Sequence, residues 1–463
     1  MIMINNSIFY LFFLLTLCSY SQHNISNIDS LVSSRYGKNE PGVSILVSKE
    51  GKSVYKNAFG LTSLKSKNKT TVNSVFQIGS ITKQFTAVAI LMLAEKGKLK
   101  VTDEIVKYLP IVSENWQGIT IHQLLNHTSG IKNESLIGNK EFSSQEHLSP
   151  TELITYFKNK PLDFKPGDSF NYSNAGYILL GQIIETVSKQ SYAEFIKNSI
   201  FKNIGMNSTF YGNSNSLIEN KTIGYRYLAN KFTSSPYMNL SLAYSAGGIL
   251  STTEDLLKWH NALISNDLIK KSSLQLAMRP TVLNNGKRVP YGYGFRFGKL
   301  GNSPVIAHTG STKGYTSIAL FLPKEKVYVV ALSNCNCKNI NDVAKQVAKQ
   351  FVKVSGKVKS NLNKGIKKER PSISVSIEKL KKYVGTYQVR PNVNLTIGLD
   401  NNNQLFLLAP NQTKRIELYA SKENHFFVKV LKVEVTFNIK NNETVSLTMN
   451  QSGRKINAKK NKL

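Results

Sequence analysis

Ser80 and Lys83 stand three residues apart in Phe76-Gln-Ile-Gly-Ser80-Ile-Thr-Lys83-Gln-Phe85. A serine hydroxyl is a poor nucleophile at neutral pH and needs a base within hydrogen-bond reach. Residues three apart on a helix share a face and touch. Ile81, Phe85, Val88, Ala89, Met92 and Leu93 recur with the helical period, which predicts a helix with one apolar stripe. Ser80 then falls in its first turn and Lys83 one turn on. That turn also carries unpaired backbone N–H groups and the positive end of the helix dipole. Both favour an anion forming beside Ser80. A serine in this place also serves as an ordinary N-cap, so the pair gains meaning only from other residues that fit the same chemistry.

Two further clusters fit it. Tyr172-Ser173-Asn174 lies in Phe164-Lys-Pro-Gly-Asp168-Ser-Phe-Asn-Tyr172-Ser-Asn174-Ala-Gly-Tyr177, and His308-Thr309-Gly310 follows the apolar run Pro304-Val-Ile-Ala307. The order Ser-x-x-Lys, Tyr-x-Asn, His-Thr-Gly resembles the serine hydrolases of the class C β-lactamase and penicillin-binding-protein group. A related signature carries Ser-Asp-Asn and Lys-Thr-Gly at the last two places. This chain has the tyrosine variant, and histidine where lysine is often found. Ile119-Thr-Ile-His122-Gln-Leu-Leu125-Asn126-His127-Thr-Ser129-Gly130-Ile131, Ile204-Gly-Met-Asn-Ser-Thr209 and Ser245-Ala-Gly247-Gly248-Ile-Leu-Ser251-Thr-Thr253-Glu-Asp255-Leu256 extend the resemblance over residues 25 to 350.

The resemblance implies a role for each residue. Ser80 attacks an activated carbonyl and forms an acyl-enzyme. Lys83 and Tyr172 share the proton work. Free lysine and tyrosine both titrate near pH 10, so each must be tuned by charge, burial or the helix N-terminus to act near neutrality. The sequence leaves open which of them is the base. Asn174 holds Lys83 and a substrate amide. Thr309 and Gly310 lie on a strand edge where substrate can pair, with Gly310 leaving room for close approach. The backbone N–H groups of Ser80 and Ser311 form the oxyanion hole. His308 is largely neutral above a pH of about 6.5, where a lysine would hold an anionic carboxylate at any working pH. That weakens the expectation of an efficient β-lactamase and leaves D,D-peptidase, D-amino-acid amidase and esterase activity open. A catalytically idle penicillin- or peptide-binding envelope protein is the alternative. The partner expected is a small-molecule or peptide substrate, an acyl amide or ester.

Composition sets the frame. The chain has 463 residues, 41% apolar and 19% charged, which is globular and long enough for more than one domain. Its net charge of +32 raises nucleic-acid binding. The lysines are scattered and no aromatic-interleaved basic motif occurs, so no nucleic-acid partner is expected, and at most a weak association with an anionic envelope surface. The cysteines are Cys18, Cys335 and Cys337. Cys335-Asn-Cys337 is too closely spaced for an easy bridge and is read as two thiols at a strand end. No second Cys or His pair matches it, and His122 and His127 lack zinc spacing, so neither metal nor cofactor is expected. Ile8 to Leu17 is apolar and too short to span a bilayer comfortably. With Ser19 and Ser21 behind it, residues 1–21 read as a signal peptide of an exported protein, although no Lys or Arg precedes the run. Lipidation at Cys18 is the other reading.

The elements that must position these residues can be placed. Val43–Ser48 and Ser53–Phe59 read as strands around a Lys49-Glu-Gly51-Lys52 turn. A helix from about Ala175 to Lys189 follows the Tyr172 loop. Ser317–Leu322 and Val327–Leu332 form a hairpin, then Asp342–Val352 a helix. The resemblance implies an α+β fold over residues 24–352: an antiparallel sheet flanked by helices, with an inserted helical region. Residues 353–376 form a basic linker. From 377 to 463, short alternating runs separated by Asn- and Gly-rich turns predict a small all-β barrel, resembling a lipocalin-like domain.

Overall fold

The computed structural model describes residues 27–109, 114–133, 146–212, 218–352, 372–390, 393–400, 402–408, 415–428, 433–451 and 454–461. The leader, Cys18 and the basic stretch from Lys353 to Arg370 lie outside the described residues. The chain divides into two compact units, Met1–Val354 and Ser355–Leu463.

The first unit is built on six antiparallel strands: β1 (Val43–Lys49), β2 (Lys52–Phe59), β3 (Arg296–Leu300), β4 (Ser303–Thr312), β5 (Tyr315–Leu322) and β6 (Val327–Ser333). Their order is β3-β4-β5-β6-β1-β2, so strands from both ends of the unit meet where β6 pairs with β1. Side chains alternate between two cores. Val43, Ile45, Val47, Val329 and Ala331 join one core with Val343 and Val347 of a C-terminal helix, Ile340–Lys349. Leu46, Val330 and Leu332 join the other, with the main helices. Both faces are therefore covered.

The helical layer centres on α1 (Thr82–Glu95), α2 (Asn174–Ser188), the short α3 (Tyr244–Gly247) and α4 (Thr253–Ile264). The start of α1 differs from the sequence expectation: Gly79–Ile81 is a 3-10 turn, and the α-helix begins at Thr82. So does its burial. Every residue from Thr82 to Leu91 is buried, as is Leu93, where one stripe was expected. A helix buried on all sides is a central one. Phe85 stacks on Trp259 of α4 at 3.9 Å and meets Phe201 edge-on. Such a helix holds Ser80 and Lys83 on an unyielding support.

Cys335 and Cys337 are joined in a disulfide, contrary to the reading of two free thiols. The chain bends at the end of β6, bringing their Cα atoms to 5.2 Å, inside bridging range.

Among its described residues the second unit holds nine strands from Gly385–Arg390 to Arg454–Lys460, joined into a nearly closed antiparallel barrel. Its interior is filled by side chains: Tyr383 stacks on Phe437 at 4.3 Å, with Phe426 and Tyr387 beside them, all buried.

Candidate active site

The backbone turn at Ser80 is clamped onto β4. Gly79 has φ +51°, and a Cβ there would sit 2.8 Å from the Ser311 nitrogen. On the other side of the contact, a Cβ at Gly310 would overlap the Ile78 carbonyl oxygen. That same oxygen accepts the Ser317 hydroxyl at 2.7 Å, and Thr312 Oγ1 donates to Gln77 Oε1 at 2.7 Å. Two glycines thus let strand and turn approach until the Ser80 turn lies against Gly310 and Ser311. The space Gly310 leaves is occupied by the protein's own backbone, not by substrate as the sequence suggested.

Lys83 is fully buried. Its Nζ lies 2.8 Å from Asn174 Oδ1, 2.7 Å from the Ala246 carbonyl and 3.3 Å from Ser80 Oγ. Burial, and then the nearby Arg296 guanidinium, push its pKa well below the ordinary lysine value. A neutral amine has two N–H donors and one lone pair. The two carbonyl oxygens can only accept, so they take both donors. The lone pair is left for Ser80 Oγ, which then donates.

Tyr172 stands at the end of a loop held by His127. The His127 carbonyl accepts the Asn171 N–H at 3.1 Å, and its Nδ1 accepts the Ser173 N–H at 3.1 Å. Ser173 in turn caps α2 by accepting the Gly176 N–H, and Asn133 Oδ1 accepts the Asn174 N–H at 2.8 Å. The buried His127 ring packs 4.3 Å from the Tyr172 ring. The Tyr172 hydroxyl lies beside Ser80 without a hydrogen bond of normal geometry. Burial pushes its pKa up to about 12, with Ser80 and the Arg296 charge acting the other way. It is a phenol, not a phenolate, at neutral pH.

His308 is placed differently from its expected role. Along β4, His308 and Gly310 are buried, Thr309 is half-buried and Ser311 is exposed. The His308 Nδ1–H donates to the Thr309 carbonyl at 2.8 Å, and Nε2 accepts the Tyr291 hydroxyl at 2.9 Å. Burial, Lys83 and Arg296 bring its pKa down to about 3. It is a neutral, hydrogen-bonded ring, and offers no titrating charge to a substrate.

The charge at this place comes from Arg296, which sequence reasoning missed. It is the first residue of β3, opposite Ala307, so that residues 308–312 of β4 have no strand partner on that side among the described residues and form an open edge. Its exposed guanidinium lies 5.1 Å from the Tyr172 ring centroid and 5.3 Å from that of Tyr291. No motif marks Arg296; only the β3–β4 register brings it here. The sequence assigns His127 no task. Among the described residues no group of three or more His, Cys, Asp or Glu side chains is gathered to hold a metal.

Ser80, Lys83, Tyr172 and Asn174 therefore meet around one cleft bounded by Gly310 and Ser311 of β4, with Thr309 next along that strand and His308 behind it.

Known proteins resemble this chain in sequence and in fold. The Beta-lactamase family profile matches residues 28–349, and a domain of unknown function (DUF3471) matches 369–460. Penicillin-binding protein 4* of Bacillus subtilis (strain 168) is 30% identical over 459 residues, covering 95% of this chain and 100% of that protein. The octameric penicillin-binding protein homologue from Pyrococcus abyssi superposes with a TM-score of 0.65 at 25% identity, covering 94% of this chain and 99% of that one. A D-stereospecific amidohydrolase from Streptomyces gives a TM-score of 0.60 at 25% identity, over 69% of this chain and 97% of that one.

Proposed function

Because the chain belongs to the Beta-lactamase family of serine acyl-transfer proteins, we propose that it is a serine hydrolase acting through an acyl-enzyme on an amide or ester that carries a negative charge near the scissile bond. The observation that supports this most directly is the placement of Lys83 Nζ, 3.3 Å from Ser80 Oγ and 2.8 and 2.7 Å from two carbonyl oxygens that can only accept, so that the neutral amine has its lone pair left for Ser80.

In this reading Lys83 is the base and Tyr172 the acid. Ser80 Oγ bonds to the carbonyl carbon as its proton passes to Lys83 Nζ. The oxyanion is met by the N–H groups of Ser80 and Ser311. As the C–N or C–O bond breaks, the Tyr172 phenol gives its proton to the departing amine or alcohol, and the Lys83 ammonium restores it. Water then attacks the acyl carbon and releases Ser80. Groups with pKa values moved apart in opposite directions fit such a division of roles. Asn174 holds Lys83, and the open edge of β4 offers backbone partners to an extended acyl chain. The apolar run before residue 18 supports a place outside the cytoplasm.

Intact-protein mass spectrometry after incubation with a penicillin and with a fluorophosphonate should show one adduct, mapped to Ser80 and absent from Ser80→Ala. An ester substrate should then be turned over many times per Ser80. An adduct on another serine removes the assignment; an adduct without turnover identifies an idle binding protein instead.

The anionic preference rests on Arg296. Arg296→Met should raise KM for a carboxylate-bearing acyl substrate by about ten- to a hundredfold, while a matched neutral ester loses less than about twofold in kcat/KM. Equal loss on both substrates would show that Arg296 only supports the tyrosines. Arg296 also helps to lower the Lys83 pKa. Its removal should therefore move the acid limb of the pH–rate profile to higher pH, and the two substrates must be compared above that limb.

A further inference from the structure

A second cavity, of about 470 Å³, lies on the far side of α3, lined by Glu185, Tyr211, Tyr237, Tyr244, Ser241 and His147 among others. It is separate from the cleft. Asn174 opens α2 and Glu185 lies eleven residues along the same helix, about 16 Å away at 1.5 Å per residue.

The cavity is built around an unused polar group. Tyr244 is 4% exposed, and its hydroxyl makes no hydrogen bond of normal geometry although the Glu185 carboxylate is beside it. Its ring lies on α2 where Gly181 leaves space; a Cβ there would overlap it. Its backbone has φ 38°, which is costly for a bulky residue. The rings of Tyr192, Tyr211 and Tyr244 stand 5.2 to 6.4 Å apart around the same carboxylate. The Tyr192 hydroxyl is engaged by Thr86, and one Glu185 oxygen accepts the Tyr192 N–H at 2.8 Å.

Charge selects the occupant. In a chain with 60 Lys and Arg against 28 Asp and Glu, no Lys or Arg among the described residues lines this cavity, and Glu185 is the one acidic residue among them. His147 lines it as well. Aromatic faces carry negative potential and attract cations, most strongly when water is excluded. An anion would be repelled by the half-buried Glu185, and a neutral apolar ligand would leave that carboxylate without a counter-charge. The volume suits a small organic molecule.

We propose that this cavity binds an organic ammonium group, with Glu185 as counter-charge and the faces of Tyr211 and Tyr244 as its cage. The proposal does not depend on the hydrolase reading, because binding is measured without turnover.

The test is calorimetric titration of the full chain with benzylammonium, and with benzyl alcohol as the neutral counterpart. Saturable binding of benzylammonium, at least about tenfold tighter than the alcohol, is expected. Glu185→Gln keeps an oxygen for the Tyr192 N–H and should weaken binding at least about tenfold. Tyr211→Leu removes an aromatic face without touching the charge and should weaken it severalfold, which keeps the test available should the first variant fail to fold. Absence of saturable binding up to about 10 mM, equal binding of the alcohol, or undiminished affinity in the folded variants overturns the proposal.

Discussion

Lys83→Met is expected to leave a folded protein in which Ser80 acylates about a thousandfold more slowly, or worse. Methionine fills the buried space of the lysine stem but cannot take a proton. Lys83→Arg should be as inactive for a different reason: a guanidinium stays charged at every working pH and cannot serve as base. In the wild type, acylation should rise with pH as Lys83 loses its proton, at a pH well below the ordinary lysine value because burial and Arg296 disfavour the ammonium. A fall at the alkaline end belongs to Tyr172, near pH 12. Stability follows the same sign. The folded pKa of Lys83 is depressed, so below its unfolded pKa of about 10.4 the unfolded chain binds a proton that the folded chain resists. Lys83 therefore weakens the fold increasingly as pH falls from that value toward its folded pKa. The Lys83→Met variant should lose both the acid limb and this part of the pH dependence of Tm. Stopped-flow acylation with a chromogenic ester, and melting curves from pH 6 to 10, read both. A Lys83→Met variant that acylates at the wild-type rate would return the base role to Tyr172.

What the sequence made legible was local. Ser80 and Lys83 stand one helical turn apart, and that distance is fixed by the chain itself. The strands around Glu50-Gly51 and Pro323–Lys326 show as short apolar runs bounded by turn residues, and Asn174–Ser188 follows a serine that caps it. What stayed hidden depends on tertiary register. The inward or outward facing of His308 is a parity, decided by how β4 sits between β3 and β5, and one residue of slip would reverse it. The same register places Arg296 at the cleft from a position with no motif around it. An apolar stripe at helical spacing announces one buried face. The burial of Thr82, Gln84 and Thr86 on α1 follows only from the elements packed around it. The Cys335–Cys337 bridge depends on a bend at the end of β6 that spacing alone does not reveal.

Gly310→Ala is the smallest substitution expected to dismantle the cleft. Its new methyl would overlap the Ile78 carbonyl oxygen, which is backbone, and crowd the buried Ser317 hydroxyl that is hydrogen-bonded to it. Ile78 immediately precedes the turn that carries Ser80, and its carbonyl is already fixed by Ser317. Relief can come only by parting β4 from that turn. Parting them separates the Ser311 N–H from the Ser80 N–H, the two donors assigned to the oxyanion. Loss of one well-placed donor costs about a hundred- to a thousandfold in rate, and overpacking of this kind about 1–3 kcal/mol in stability. A Cβ at Gly298, in β3 of the same sheet, meets nothing within 4 Å, so Gly298→Ala is the matched control and should be nearly silent in both assays. The decisive comparison is acylation by a penicillin at a temperature where both variants remain folded. A slow, folded Gly310→Ala variant beside a normal Gly298→Ala variant supports an oxyanion site made across this contact. Wild-type acylation by the Gly310→Ala variant would show that the contact only supports the fold and that the oxyanion is held elsewhere.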